Sequence, residues 1–260
     1  MTTENSSHIS RRNMLRTSGA LVAGGAVLAA CGTTSTHGVP RIGATPTIPK
    51  LEDAVVSDAA LLRTAMSVEK MVANILSDSR VAGIADKVAA PIVAGYVAAH
   101  TAHLASLSTL VTANGGQPYN EPNEQLMVAY GNTVLTLMSD GKKATDVLPL
   151  TFALESLVAA TYQYFVSLTT NGALRTEMMR LGATSSRRAA VAAQLISSGF
   201  KAFNVQYESD GVTQLADSVA TFPNAFGALN AVQVTLGPDV KDAPRANVLM
   251  DTPSLNSIIY

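Results

Sequence analysis

The stretch that decides the fold is residues 58–78, DAALLRTAMSVEKMVANILSD. Leu62, Met66, Ala73 and Leu76 recur at three- and four-residue spacing, the period of one helix face. Ser57 precedes the run as an N-cap, so a helix is predicted over Asp58–Asp78. Glu69 falls inside that apolar stripe. A glutamate is almost never buried unless it is paired, so something must meet it in the interior.

Three more helices of similar length follow. One is expected between Ile84 and Ala113, kinked or broken at Pro91 and stopped by Asn114-Gly115-Gly116; Ile92, Tyr96, His103, Leu107 and Leu110 share its face, with His100 one turn before His103. The next begins near Thr145-Asp146, tolerates Pro149 in its first turn, and carries Glu155 within the stripe Leu148, Phe152, Ala159, Tyr162 and Val166. Asn171-Gly172 closes it. The fourth runs from Ala173 to Ser198, with Leu181, Ala192 and Leu195 as its apolar face and Ser185 and Arg188 on that same face. A shorter helix over Pro122–Ser139, started by Asn120-Glu121-Pro122 and ended by Asp140-Gly141, joins the two halves. A further short helix is expected within residues 211–233, and an irregular tail beyond Gly237 whose apolar end, Leu255 to Tyr260, packs back on the body. Period-two alternation is scarce, and the fold class is all-α.

The N-terminus reads as an export signal. Ser10-Arg11-Arg12-Asn13-Met14-Leu15-Arg16 fits a twin-arginine motif. The apolar run Ser18–Ala30 is shorter than the roughly 20 residues a bilayer needs and has the character of a signal-peptide core. It ends in Leu28-Ala29-Ala30-Cys31-Gly32, which resembles a lipoprotein cleavage box, so Cys31 is the expected lipidation site. It is the single cysteine; once acylated it leaves no thiol for disulfides or metal. Residues 32–52, rich in Thr, Gly, Pro and Ser, read as a flexible tether, residues 53–210 as the helical domain and 211–260 as an extension packed on it. Net charge is −1 and tryptophan is absent, which argues against nucleic-acid binding. The expected location is the outer face of the cytoplasmic membrane, in the cell envelope, with the lipid anchor as the membrane contact and an envelope protein as a possible partner.

Glu69, His103, Glu155 and Arg188 thus sit at matching depths on four helices. This arrangement resembles the ferritin-like carboxylate bundles, in which two helices each give one Glu and the other two each give a Glu-x-x-His pair. The resemblance covers roughly Val55 to Lys201. It implies a four-helix bundle with Glu69 and Glu155 as the lone glutamates and His103 as the histidine of the second helix. His100 stands where that helix should carry Glu. In the fourth helix Ser185 replaces the glutamate and Arg188 the histidine. The resemblance therefore implies a degenerate di-iron site, with no catalytic residue and no two-metal oxidase chemistry. Three readings remain open at this point, the third being a ligand-binding bundle whose core cavity admits a small apolar molecule. In the first, the polar residues satisfy each other and Arg188, and the protein is a structural or interaction module. In the second, Glu69, His100, His103 and Glu155 hold one iron, manganese or zinc ion, giving a metal-binding protein or an oxidoreductase.

Overall fold

The computed structural model describes residues 56–196, 209, 232–239, 241 and 245–260. The export signal, Cys31, the tether, and the expectations for residues 197–208 and 210–231 lie outside the described residues. The compact unit is Ser57–Tyr260, and it is mostly helical.

Helix α1, Asp58–Ser77, begins where expected: the Ser57 hydroxyl accepts the Ala60 amide at 3.1 Å. Asp78 ends it and caps a one-turn helix, α2, Ser79–Ala82, through the Arg80 amide at 2.9 Å. The second long helix is shorter than its periodicity predicts. It is broken before Pro91, and α3 covers Ala89–Ala113 with Asp86 accepting the Val88 and Ala89 amides at 2.8 Å each. Pro91 then sits in the first turn, where its missing N–H costs nothing. At the other end Gly115 takes φ +77°, Gly115 N–H reaches Thr112 C=O and Gly116 N–H reaches Val111 C=O, the paired closure that favours glycine.

The connecting segment is α4, Glu124–Leu126, a π-helical turn over Met127–Gly131, and α5, Asn132–Gly141. Its cap is Asn123 rather than Asn120. The buried Asn123 side chain accepts the Leu126 amide at 3.2 Å and donates to Ser67 Oγ at 2.9 Å and Ser257 C=O at 2.8 Å, tying the crossover to α1 and to the chain's end. Lys142, not Gly141, takes the left-handed conformation that stops α5.

Helix α6, Val147–Leu168, is buried on nearly every side. By length and apolar composition it matches a membrane span, but most of it lies inside the fold. Helix α7, Gly172–Ile196, packs along it; Asn171 caps α7, accepting the Ala173 and Leu174 amides, rather than closing α6. Phe152 of α6 meets Ala189, Ala192 and Ala193 of α7, so the small residues admit the ring. Gly182 lies so close to α6 that a Cβ there would meet Tyr162 Cβ at 2.9 Å. Leu195, expected on the apolar face, is 43% exposed, because the face drifts off α6 over the last turn. Helices α1 and α3 form the other antiparallel pair: Gly116, just beyond α3, comes against Ala59 in the first turn of α1. Both α1 and α3 also touch α6.

The irregular tail is corrected. Val232–Leu236 (β1) and Ala246–Met250 (β2) form an antiparallel hairpin, with Val232 opposite Met250 and Leu236 opposite Ala246. Val232, Val234, Leu236, Val248 and Met250 are buried over α6 and α5, while Gln233, Thr235, Asn247 and Leu249 face out. Residues 232–233, expected to end a short helix, belong to β1. The base of the hairpin is clasped by buried Asp146, which accepts the Gly237 amide at 3.0 Å and pairs with Arg245. The chain's end runs along α1: Ile259 N–H donates to Thr64 Oγ1 at 2.9 Å, and Arg63 donates to Tyr260 C=O.

Candidate functional site

Antiparallel pairing of α1 with α3, and of α6 with α7, brings Glu69, His100, His103, Glu155 and Arg188 into one buried cluster. Glu69, His100 and Glu155 have no exposure at all, and His103 is 8% exposed. Helical geometry places His100 and His103 three residues apart on the inner face of α3, and their rings meet edge to face with centroids 6.1 Å apart.

Glu69 is the hub. Its Oε2 accepts from His100 Nδ1; its Oε1 accepts from His103 Nδ1 at 3.0 Å and from the Tyr162 hydroxyl at 2.7 Å. His100 spans the interior, because its other nitrogen, Nε2, donates to Glu155 Oε1 at 2.9 Å. Arg188 closes the ring: Nη1 lies 3.5 Å from Glu155 Oε2, and Nη2 lies 3.2 Å from His103 Nε2. Tyr96 holds Arg188 from outside. Its hydroxyl donates to the Arg188 carbonyl at 3.0 Å, and its ring centroid is 5.8 Å from the guanidinium carbon, within cation–π range. The Arg188 and His103 side chains, each 11% exposed, are the cluster's edge toward solvent.

Ionisation follows from this packing. Burial alone would raise the Glu69 pKa, but the His100 charge and the hydrogen bonds from both histidines outweigh it and hold the carboxyl at about 2. For His100, burial opposes charging; the Glu69 charge and the bonds to Glu155 and Glu69 overcome it and raise the imidazole to about 9. The Tyr162 hydroxyl is pushed well above its usual range by burial and by Glu69, so it remains a donor. Tyr96 rises to about 12, through burial and the Glu155 charge.

The proton positions follow from the partners. A guanidinium has donors only, so His103 Nε2 facing Arg188 must be the acceptor. The His103 proton is therefore on Nδ1, where it is given to Glu69. With His100 protonated on both nitrogens, every polar group in the circuit is satisfied, as a buried ionic network requires.

Ligand atoms of Glu69, His100 and His103 lie within 4.8 Å of one another, and this buried group can hold a single metal ion. Glu155 does not join that set, which corrects the expected four-ligand site. It faces the far nitrogen of His100, the position of a carboxylate that orients a ligating imidazole. For two metals the residues do not fit: Ser185, buried one turn before Arg188, offers a hydroxyl that finds no hydrogen-bond partner among the described residues, and Arg188 brings a permanent cation. For one metal the donors fit, on two conditions. His100 must give up the proton on Nδ1, which it donates to Glu69. His103 can ligate through Nδ1 only if its proton moves to Nε2, where the Arg188 N–H groups already point.

The side chains around the cluster divide. Tyr162, expected on the apolar stripe of α6, is part of the circuit. Tyr164 packs against Phe165 instead. Arg187 points to solvent, toward Thr184. Met66, Met71 and Met178 fill the core, while Met179 is exposed. Tyr96, assigned by the sequence to an apolar face, clamps Arg188; its position one turn before His100 was the available signal. A cavity of about 170 Å³ beside Tyr162, lined by Gln163, Met178 and Gly182, lies between α6 and α7.

Compared with known proteins, the chain matches no family model, no curated protein and no solved structure.

Proposed function

We propose that this chain is an exported, lipid-anchored envelope protein with a ferritin-like four-helix bundle, in which an internal ion network has replaced metal chemistry and the domain serves as a structural or interaction module. The observation that carries this reading is the 3.2 Å approach of Arg188 Nη2 to His103 Nε2. It commits the His103 proton to Nδ1 and so withholds the nitrogen that faces Glu69 from any metal. Arg188 also supplies, beside Glu155, the positive charge that a cation would otherwise bring. The ferritin-like ancestry rests on the placement of Glu69, His103 and Glu155 on three helices, with Ser185 and Arg188 at the degenerate pair on the fourth.

Elemental analysis of the protein exported by its native route tests this. The expected result is less than one equivalent of any transition metal. Stoichiometric iron, manganese or zinc, lost in a folded His103→Gln variant, overturns it. Export itself is tested by Arg11→Lys with Arg12→Lys, which should hold the chain in the cytoplasm, and anchoring by Cys31→Ser, which should release it from the membrane fraction.

The convergence of Glu69, His100 and His103 favours a second reading. In it Arg188 swings out, the three residues ligate one ion, Glu155 fixes His100 through Nε2, and open positions remain for substrate or water. Such an ion would supply Lewis-acid or redox chemistry.

A further inference from the structure

The outer faces of α3 and α7 differ in kind. Helix α3 carries no Asp, Glu, Lys or Arg along its whole length, and its exposed positions are small, among them Ala94, Ala98 and Ala105. Helix α7 exposes Arg175, Arg180 and Arg187 against a single acid, Glu177, which is already paired to Arg180 at 2.8 Å. It also carries Met179, Val191, Leu195 and Ile196, which make up half of the exposed large apolar side chains among the described residues. Thr176, Arg180, Ala183, Arg187 and Val191 are all exposed and follow the spacing of one helix face, with Met179 on its flank.

We infer that this face of α7 docks on an anionic lipid surface. The inference rests on the lipid-anchored reading above and names the partner of the interaction module. Two arguments select lipid. First, exposed arginines interleaved with the apolar side chains of Met179, Ala183 and Val191 match an interfacial helix, whose cations meet lipid phosphates while its apolar groups enter the headgroup boundary. The face has no aromatic platform on which bases could stack. Second, the chain confines the domain to the membrane. Roughly 25 residues separate Cys31 from Ser57, and even fully extended they span less than about 90 Å. An acylated Cys31 would therefore keep the α7 face at high effective concentration over the lipid, so a weak surface suffices. The face of α3, with no cation, has nothing to offer the same headgroups.

The test uses the full chain with Cys31→Ser, so that no acyl group contributes, and vesicles of phosphatidylcholine alone or with phosphatidylglycerol added. Binding is expected to the anionic vesicles only and to fall with salt. Arg180→Gln with Arg187→Gln should weaken it at least about 20-fold, since each surface arginine contributes roughly fivefold. Lys87→Glu with Lys142→Glu, on other exposed positions, should leave it unchanged. Circular dichroism confirms that each variant is folded. Equal binding to neutral vesicles, no binding to either kind, unchanged binding by the arginine variant, or tighter binding to a nucleic acid or an acidic protein overturns the inference. Mass analysis of the exported wild-type chain separates the two ideas: absence of an acyl group at residue 31 sinks the anchoring reading, while the vesicle result still decides the α7 face.

Discussion

Two carboxylate–guanidinium contacts in this protein use the same chemistry to different ends. Inside the helices, Glu155 meets Arg188 as one link in a circuit that includes His100, Glu69, His103 and Tyr162. At the base of the hairpin, Asp146 meets Arg245, whose side chain is 26% exposed and also lies 3.7 Å from the exposed Asp239. The first belongs to a circuit that water barely reaches. The second leans on solvent and on backbone groups of Gly237. The lesson is that context, not the pair itself, sets the consequence of breaking it. A buried ion left alone keeps its full desolvation cost, whereas a half-wet pair is worth little.

That contrast can be broken from either side. The largest effect is expected for Glu69→Ala, which strips three donors of their acceptor at once. It should destabilise the domain by about 3–5 kcal/mol, the range for removing one member of a buried ionic network, measured by urea unfolding. A loss below about 1 kcal/mol would mean that water already reaches the cluster.

Next comes pH. Glu69 falls from 4.5 to about 2 on folding, so its contribution is complete above about pH 4.5 and is lost as pH drops through 2. His100 rises from 6.5 to about 9, so its contribution is complete below about pH 6.5 and is lost as pH climbs through 9. Stability should therefore peak between about pH 4.5 and 6.5 and decline on the alkaline side by a few kcal/mol, as linkage requires. A stability curve that is flat from pH 6 to 9 would contradict a charged, bridging His100.

Arg188→Met should cost less, about 1–3 kcal/mol, because the methionine stem keeps the packing while Glu155 retains His100. It should also free His103 Nε2 to carry the proton. One equivalent of zinc is then expected to bind the variant and not the parent in a calorimetric titration. Equal binding by both would show that Arg188 never guarded the site. The smallest effect is expected for Arg245→Ala, about 1 kcal/mol, because the buried Asp146 carboxylate keeps the Gly237 amide as a donor. Hydrogen exchange should quicken in Val232–Leu236 and leave α1, α3 and α6 protected. Global destabilisation would show that the hairpin is integral to the helical core.

The helices were legible from local chemistry. Ser57, Asn114-Gly115-Gly116 and Pro149 act within a turn of where they stand, and the structure uses each as its residue type predicts. The break before α3 was less legible, since Asp86 stabilises its start by accepting amides two and three residues on, in a stretch whose apolar spacing also fits a continuous helix. The hairpin was missed for a different reason. Val232-Gln233-Val234-Thr235-Leu236 does alternate, but its partner lies beyond two prolines, and a strand's worth depends on what it pairs with. In the cluster, His100, which stands where the resemblance expects a glutamate, is the most central; its spacing from His103 places it on the right face without telling which acids its two nitrogens find.

From the sequence alone came the order of four long helices and the positions where polar side chains interrupt their apolar faces. Periodicity and capping operate over three or four residues, so they are written in the chain directly. Which atom meets which was decided only in three dimensions. The proton on His103 depends on Arg188, 85 residues away; the bridge from His100 ends on Glu155, 55 residues away; and the clasp on the hairpin joins Asp146 to Arg245 across 99. Hydrogen bonds are specific to fractions of an ångström, a precision that helix packing supplies and spacing along a chain does not.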